Sequence, residues 1–421
     1  PSNYHMQLKR VVVTGLGALT PLGNTIDEYW RGLCEGVSGA DYITLFDAEK
    51  FKTRFACELK NFNPEEFLDR KEARKLDRFS QLAIVSSNQA IADANLTQEG
   101  INKDRVGVIW ASGIGGIGTF YEEMKGFFAG DGTPRFNPFF IPKMISDIAA
   151  GHISMNYGFR GPNYCTVSAC ASSSHALIDA SHFIRLGKAD IIVCGGSEAA
   201  ITIPGVGGFN AMKALSENND SPKTASRPFD KGRDGFVLGE GAGAIVLEEY
   251  EHAVKRGAKI YAELAGSACT ADAHHITAPH PEGAGVILVM NGALEDAQMQ
   301  ATEIDYINVH GTSTPLGDIA EVTAIQKVFQ DHAYNLNISS TKSMTGHLLG
   351  AAGAIEAIAS ILAVQNDIVP PTINHFTDDE LLDPKLNFTF HTAQKRVVNA
   401  ALSNTFGFGG HNASVIFKKI N

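Results

Sequence analysis

Cysteine is scarce in this chain of 421 residues, which has only six, at positions 34, 57, 165, 170, 194 and 269. They are too few and too scattered for a disulfide framework. No Cys-x-x-Cys pair occurs, so a structural zinc site is not expected. Uninterrupted apolar runs fall far short of the roughly 18 residues that a membrane helix needs. The sequence therefore predicts a cytoplasmic protein without a membrane segment.

Positive charge is also in short supply. The chain has 35 Lys and Arg against 46 Asp and Glu, which gives a formal net charge of −11. This balance disfavours a protein whose main role is to neutralise nucleic-acid phosphates, although a local basic patch remains possible. Hydrophobic residues make up 44% and charged residues 19% of the chain, which excludes disorder and predicts a well-packed globule.

Short β-branched runs that end in glycine or small residues alternate with helical patterns. Such runs fit strands buried on both faces of a sheet, and the alternation predicts an α/β fold. The predicted strands are residues 10–14, 106–110, 191–194, 243–247, 306–309 and 415–417. The predicted helices are residues 79–94, 171–186, 284–296, 319–329 and 348–365.

Two of these helices, 171–186 and 348–365, are rich in small residues and poor in charge, which is typical of helices packed closely inside a protein. Each follows a short strand-like segment and a small-residue turn. This similarity predicts two halves built alike, with a boundary in a charge-rich stretch around residues 249–258. We divide the chain into residues 6–257 and 258–421, and expect the first five residues to lie outside the fold.

A glycine-rich segment, Gly113–Gly118, matches the G-x-G-x-x-G fingerprint of dinucleotide-binding proteins. That function needs an acidic residue at the end of the next strand, about 20 residues on. Here Asp131 lies in a turn with no strand before it. The segment is therefore interpreted as a tight turn or a close approach of two backbones.

Cys170 lies between a short strand and the start of a small-residue helix. The positive end of the helix macrodipole would lower the pKa of its thiol and favour the nucleophilic thiolate. The alternative is that Cys170 is an ordinary core residue, since free cysteine is commonly buried.

Two histidines occupy positions where α/β folds build sites. His310 follows a predicted strand, and His347 begins the second small-residue helix, where a helix start can keep an imidazole neutral. Each could also be a structural histidine. Residues 404–412 alternate aromatics with glycines, as in a plain turn or a mobile gate. A helix-start cysteine with two glycine-flanked histidines is the equipment for acyl transfer through a thioester.

Seven motifs between Val11 and Ile420 resemble those of the elongating β-ketoacyl-acyl-carrier-protein synthases, the synthase II group. They are Val-Thr-Gly-Leu-Gly at 13–17, Ser-Ala-Cys at 168–170, Arg-Pro-Phe-Asp-Lys at 227–231, Arg-Asp-Gly-Phe-Val-Leu-Gly-Glu-Gly at 233–241, His-Gly-Thr-Ser-Thr at 310–314, Lys342 with Gly-His at 346–347, and Asn404 with Phe-Gly-Phe-Gly-Gly at 406–410. The resemblance implies the thiolase fold, in which two similar halves form five layers, α-β-α-β-α, and the chain is a homodimer. It also implies an acyltransferase with no cofactor of its own.

The same resemblance implies a decarboxylative Claisen condensation that lengthens a fatty acyl chain by two carbons. Acyl and malonyl groups would arrive on the phosphopantetheine arm of an acyl carrier protein. Cys170 would carry the acyl group, and His310 and His347 would complete a Cys-His-His triad. Lys342 would lie near the triad, paired with the acid Glu321.

Further residues are assigned by their place in these motifs. Phe408 matches a gating phenylalanine whose backbone N–H joins that of Cys170 in an oxyanion hole, and Phe406 is assigned to the same gate. Gly409 is assigned to the binding of the phosphopantetheine arm and the acyl chain. The remaining assignments are Asp318 as a supporting residue, Thr312 and Thr314 as contacts of the phosphopantetheine arm, and Ile114 at the bottom of the acyl pocket.

A basic segment offers a docking surface for the acidic carrier protein. Its cationic residues are Arg70, Lys71, Arg74 and Lys75, to which the resemblance adds Lys213. Without the resemblance, such a mixed charge run could equally be a solvated helix face. With it, docking is favoured, because charge complementarity acts through local patches.

The chain departs from the family pattern at a few positions. Residues 172–174, His175 and His411 depart from the pattern, which leaves chain-length preference open.

A thiolase needs a second catalytic cysteine near the C-terminus, and none follows Cys269. An initiating synthase has asparagine where this chain has His347. A chain-length-factor-like partner would lack the nucleophile. A specialised ketosynthase of a polyene or polyketide pathway stays open.

Overall fold

The computed structural model describes residues 6–421, so the expectation for the first five residues lies outside the described range. The strands in that range are β1 (Val11–Leu19), β2 (Asp41–Tyr42), β3 (Phe55–Ala56), β4 (Val106–Ala111), β5 (Asn163–Tyr164), β6 (Ile191–Glu198), β7 (Gly241–Glu249), β8 (Ala262–Ala271), β9 (Tyr306–Asn308), β10 (Asn337–Ser339), β11 (Ile368–Val369), β12 (Gln394–Lys395), β13 (Ala400–Gly407) and β14 (His411–Lys418). The α-helices are α1 (Ile26–Glu35), α2 (Arg70–Arg74), α3 (Arg78–Asp93), α4 (Ile117–Ala129), α5 (Phe140–Met144), α6 (Ile148–Tyr157), α7 (Ser172–Arg185), α8 (Ile203–Ala211), α9 (Tyr250–Lys255), α10 (Ala284–Ala297), α11 (Pro315–Phe329), α12 (Lys342–Thr345) and α13 (Ala352–Asn366).

Ten of these strands form two five-stranded sheets with the same strand order. The first runs β5-β4-β6-β7-β1 and the second β10-β9-β13-β14-β8, so each has its third, second, fourth, fifth and first strand side by side. In each, the first three strands of that order are parallel and the last two pair antiparallel. The sheets join where the start of β1 pairs with β8 over three residues.

Helices lie in three layers around these two sheets. The central layer is α7 and α13, which pack against each other and against strands of both sheets. One apolar core contains buried residues of α7 and α13 together with residues of both sheets. The other two large cores lie outside: α3 and α6 cover the first sheet, and α10 and α11 cover the second. The predicted five-layered α-β-α-β-α thiolase fold is confirmed.

Small side chains let α7 and α13 cross closely. A Cβ atom on Gly353 would lie 2.2 Å from Ser174 Oγ, and Ser173 Oγ accepts a hydrogen bond from Ala354 N at 2.8 Å. The prediction that the second small-residue helix begins at residue 348 is wrong. A 3₁₀ turn, Leu349–Ala351, comes first, and the α-helix begins at Ala352.

One helical stretch, Leu349–Asn366, is long and apolar enough by composition alone to cross a membrane. It is 89% buried inside the protein, where it forms part of the central layer. Its apolar character is therefore accounted for by its packing between the two sheets.

Candidate active site

Cys170 is held in a strained turn immediately before α7. The residue before it, Ala169, has a φ of 51°, in the left-handed region that costs a non-glycine residue roughly 1–2 kcal/mol. Ser172 stabilises the turn, because its Oγ accepts from Ser168 N at 2.9 Å and donates to Ala169 O at 2.6 Å. The turn fixes the thiol at the inner end of a cavity.

That cavity has a volume of about 540 Å³ and brings together the predicted catalytic residues. Cys170, His310 and His347 all line it, although they come from three separate segments and from both halves of the chain. Its lining is predominantly apolar, which suits an acyl group better than a polar substrate.

The thiol of Cys170 does not have the low pKa that the sequence predicts. Burial raises the pKa of Cys170 to about 12, against the opposing effects of Lys342 and of the nearby backbone N–H of Phe408. The buried position of the sulfur thus outweighs its place before a helix. A pKa raised in this direction favours the neutral thiol, so that a reaction at the sulfur must also remove its proton.

His347 lies a full turn before the helix that it was predicted to begin. Its backbone is fixed by Val237 and Gly239, with its N–H 2.7 Å from Val237 O and its carbonyl 2.9 Å from Gly239 N. Its Nδ1 accepts from Leu349 N at 3.2 Å, so the neutral ring carries its proton on Nε2. The pKa of His347 is well below its usual value because of burial and the nearby Lys342.

His310 follows β9, and its neutral ring carries its proton on the same nitrogen, Nε2, as that of His347. Lys342 Nζ lies 3.3 Å from its Nδ1 and donates to its carbonyl oxygen at 2.8 Å. An ammonium group only donates, so Nδ1 is the acceptor and Nε2 carries the proton. Burial, helped by Lys342 and His347, lowers the pKa of His310 well below 6.5. The two rings, 5.3 Å apart and nearly perpendicular, are therefore two neutral Nε2–H donors.

The partner of Lys342 is Glu356, and the predicted pairing with Glu321 is wrong. Lys342 Nζ and Glu356 Oε1 are 2.8 Å apart, and both side chains are 1% exposed. Glu321 instead accepts from the backbone N–H groups of His310 and Gly311, each at 2.9 Å. Glu356 was missed although it is the one charged residue in the otherwise apolar or small-residue helix α13, which is itself a signal.

Two buried carboxyls shape the backbone around His310. Burial raises the pKa of Glu321 to about 7, against the N–H donors that it binds. Asp318 accepts from Phe229 N at 3.0 Å and from Ser313 N at 3.2 Å, and burial raises its pKa to about 6. Both residues therefore position the loop after β9, and both also line the cavity that holds Cys170, His310 and His347.

Replacing Lys342 by alanine should damage both stability and activity. Glu356 would become a buried carboxylate without its partner, which typically costs 3–5 kcal/mol of unfolding free energy. His310 would also lose the donor at Nδ1. In the double variant Lys342→Met with Glu356→Leu, we expect most of the stability to return, while the malonyl decarboxylation that the family resemblance implies should stay low. Chemical denaturation and a decarboxylation assay measure the two effects. Recovery of decarboxylation in the double variant would show that the pair is only structural.

The aromatic and glycine segment at the end of β13 and in the turn after it lies directly against the nucleophile. A Cβ atom on Gly407 would be 2.8 Å from Ser168 O and 3.0 Å from Cys170 N, so only glycine fits there. The ring of Phe406 packs edge-on against His310, with 5.4 Å between centroids. Phe408 lines the cavity, and Gly409, with a φ of 97°, donates to Ile276 O at 2.7 Å.

Most of the predicted binding residues also reach the cavity. Thr312 and Thr314 line it with their hydroxyl oxygens 3.1 Å apart, and Lys213 lines it too. Ile114 does not, and its side chain is 36% exposed. Its role at the bottom of an acyl pocket stays a prediction.

A loop that the sequence did not single out forms another wall of the cavity. It follows β8 and contributes Asp272 and residues 275–279. Two of the residues after Cys170 that depart from the family pattern make hydrogen bonds within the fold. Thr405 Oγ1 donates to Ser174 Oγ at 2.7 Å, and His175 Nδ1 lies 2.5 Å from Ser168 Oγ. Within residues 6–421 no group of three or more His, Cys, Asp or Glu side chains is arranged to hold a metal ion.

The basic segment forms the short helix α2, with its cationic side chains on the surface. Arg70 pairs with Glu65 at 3.5 Å and Lys75 with Glu72 at 3.1 Å. Lys71 and Arg74 make no ion pair within the part of the chain that the structure describes, so they are available to a partner.

The chain is similar in sequence to known families and proteins. The family described as Beta-ketoacyl synthase, N-terminal domain, matches residues 8–253, and Beta-ketoacyl synthase, C-terminal domain, matches residues 261–376. The chain is 50% identical over 417 residues to a 3-oxoacyl-acyl-carrier-protein synthase 2 of Synechocystis sp., covering 99% of each chain.

Two solved structures are also similar to it. One contains a type II polyketide acyl-carrier protein in complex with its ketosynthase bound to a hexaketide; it is 33% identical, with a TM-score of 0.89, covering 99% of this chain and 100% of that one. The other is the ishigamide ketosynthase/chain length factor, 33% identical with a TM-score of 0.91, covering 98% and 100%.

Proposed function

The chain belongs to the β-ketoacyl synthase family, and we propose that it is an elongating 3-oxoacyl-acyl-carrier-protein synthase of fatty acid biosynthesis. The observation that carries the proposal is the meeting of one thiol and two neutral imidazole donors in one apolar cavity. The substrates are an acyl group and a malonyl group, each delivered as a carrier-protein thioester.

The first step transfers the acyl group to Cys170. The sulfur attacks the thioester carbonyl, the carbon–sulfur bond to the carrier breaks, and the proton of the Cys170 thiol ends on the departing phosphopantetheine thiol. The tetrahedral intermediate places an oxyanion beside the backbone N–H groups of Cys170 and Phe408. Each such donor contributes roughly 3 kcal/mol to transition-state stabilisation.

The second step forms the new carbon–carbon bond. Loss of carbon dioxide from the malonyl group leaves an enolate, whose thioester oxygen accepts hydrogen bonds from Nε2–H of His310 and His347. The enolate carbon attacks the carbonyl of acyl-Cys170, and the Cys170 thiolate leaves and takes up a proton. The product is a 3-oxoacyl-carrier protein two carbons longer. Because the imidazoles supply the stabilisation, we propose that the enzyme needs no cofactor of its own.

The carrier protein is proposed to dock on helix α2 and on Lys213 at the cavity. We expect the double variant Lys71→Glu with Arg74→Glu to raise KM for the carrier substrate by about 10-fold with little change in kcat, because docking charges act mainly on association. Steady-state kinetics at two salt concentrations measure this. Lys395→Glu, at an exposed position on β12, is the matched control. An unchanged KM in the double variant would place docking elsewhere.

A homodimer is the proposed assembly, and the cytoplasm the proposed location. Support for self-association comes from large apolar side chains exposed in and around α4 and α5: Phe120, Phe128, Phe136, Phe139 and Ile141. Sedimentation at the mass of one chain would refute the dimer. The two halves, proposed as residues 6–257 and 258–421, each carry part of the catalytic centre.

A product assay tests the proposed function. The enzyme is incubated with acyl carrier proteins of graded chain length plus malonyl-carrier protein, and products are identified by mass spectrometry. One added two-carbon unit per encounter supports fatty acid elongation. Repeated additions without intervening reduction would favour a polyketide or polyene ketosynthase instead, and no product would favour a non-condensing chain-length-factor-like partner.

A further inference from the structure

The start of the glycine-rich turn Gly113–Gly118 binds a carboxyl group, and that group belongs to the protein itself. Glu198, the last residue of β6, is fully buried. Its carboxylate accepts four hydrogen bonds: from Ser112 Oγ at 3.0 Å, Gly113 N at 2.9 Å, Ile114 N at 3.1 Å and Gly350 N at 3.0 Å. A carboxylate has about four such acceptor positions, so all are used.

These donors come from both halves of the chain. Ser112, Gly113 and Ile114 follow β4 of the first half, whereas Gly350 belongs to the 3₁₀ turn of the second half. The two backbones meet so closely that a Cβ atom on Gly350 would lie 2.4 Å from Gly113 N. The glycines therefore permit an approach that Glu198 then holds together.

Each of the two segments leads to a reacting residue. Gly350 follows Leu349, whose N–H binds Nδ1 of His347 at 3.2 Å and so sets the tautomer of that ring. On the other side, a Cβ atom on Gly113 would lie 3.3 Å from Ala169 O, in the strained turn that carries Cys170. Glu198 is thus connected to both reacting residues through the backbone segments that it binds. Gly113 contacts the turn that carries Cys170, and Gly350 adjoins the residue that hydrogen-bonds His347.

We propose that Glu198 is a positioning residue, which couples the turn bearing Ile114 to the turn that orients His347 and so affects both acyl-chain preference and decarboxylation. The proposal rests on the proposed condensing function, and its acyl-preference part rests also on the proposed place of Ile114 at the bottom of the acyl pocket, outside the cavity described above. The ionised form of Glu198 acts with burial to keep the Cys170 thiol protonated, while burial also raises the pKa of Glu198 itself against the four donors that it binds. Removing the charge therefore has an effect on the thiol that loosened packing alone would not produce.

Glu198→Gln tests the proposal, because it keeps one acceptor oxygen but turns an NH₂ group toward two of the donors. We expect malonyl decarboxylation to fall about 10- to 100-fold, as for a misplaced catalytic group. We also expect the ratio of kcat/KM for long and short acyl substrates to change, and the pH profile of Cys170 alkylation by iodoacetamide to move to lower pH. Glu198→Asp keeps the charge but not the reach, so it should alter the selectivity and leave the alkylation profile near that of the wild type.

Glu248→Gln is the matched control, since Glu248 is equally buried on β7 but binds Arg256, His252 and Thr14. It should lower stability without moving selectivity or the alkylation profile. If Glu198→Gln does not fold, Ser112→Ala removes one of the four donors and should change selectivity in the same direction by less. Loss of stability alone in the Glu198 variants would overturn the proposal. Absence of condensation by the wild type would instead refute the proposed function, and alkylation would still report on Glu198.

Discussion

Cys170→Ala is expected to abolish condensation, lowering kcat/KM by at least about 10⁴-fold, as the loss of a covalent nucleophile does in other enzymes. No other group in the cavity can form the acyl thioester. The side chain is small and its turn is held by backbone and Ser172 contacts, so the fold should survive. Assay of 3-oxoacyl-carrier-protein formation, with thermal unfolding as the check on folding, measures the effect.

Cys170→Gln separates the two halves of the reaction. It removes the nucleophile but leaves the imidazole donors, so malonyl-carrier protein should still lose carbon dioxide without being condensed. Cys269→Ala, at an exposed cysteine outside the cavity, is the control and should retain full activity. Normal condensation by either Cys170 variant would be incompatible with the mechanism.

Replacing either His310 or His347 by alanine is expected to lower decarboxylation by about 10²- to 10³-fold, the effect of losing one oxyanion donor. Each ring has its Nδ1 occupied by a donor, so each presents Nε2–H to the substrate. Measuring carbon dioxide release in the Cys170→Gln background isolates this step. A histidine variant that decarboxylates at the parental rate would remove that ring from the enolate site.

Malonyl decarboxylation should be lost at acidic pH, where the imidazoles become protonated. The neutral imidazole is the active form, and the pKa of both histidines lies well below 6.5 because both are buried. Protonation of these rings should therefore lower decarboxylation in the Cys170→Gln background only well below pH 6.5. A loss between pH 6 and 7 would instead come from the buried carboxyls Asp318, Glu321 and Glu356, whose pKa values burial raises to about 6, 7 and 7. Titration of either imidazole near 6.5 by NMR, the ordinary value for histidine, would mean that the rings are not held neutral.

Much of the fold followed from the sequence because it depends on local pattern. Buried β-branched runs predicted the central strands, and the two small-residue helices predicted a repeated architecture. Five of the six predicted strands proved longer than predicted, as β1 shows, whereas β9 is one residue shorter. Strand β1 continues through Gly15 and Gly17, where a Cβ atom would lie 2.5 Å from Ala90 O and 2.1 Å from Ser86 O, respectively. Those glycines permit helix packing against the strand, a long-range contact that the local pattern does not contain.

The site was predicted in its residue types but not in all its interactions. Cys170, His310 and His347 were identified, and they do line one cavity. The partner of Lys342 was missed because Glu356 lies on a helix of the central layer, and only the packing of that layer brings the two together. The pKa direction of Cys170 was wrong for a similar reason, since its burial depends on long-range packing, such as that of Gly407 at the end of β13 against the backbone of Cys170.

The most direct test of the central claim is mass spectrometry of the purified enzyme after incubation with one acyl-carrier protein. Peptide analysis should find the acyl group as a thioester on Cys170, and addition of malonyl-carrier protein should remove it and release a 3-oxoacyl-carrier protein two carbons longer. An enzyme that stays unmodified, or that carries the acyl group on another residue, would contradict the account.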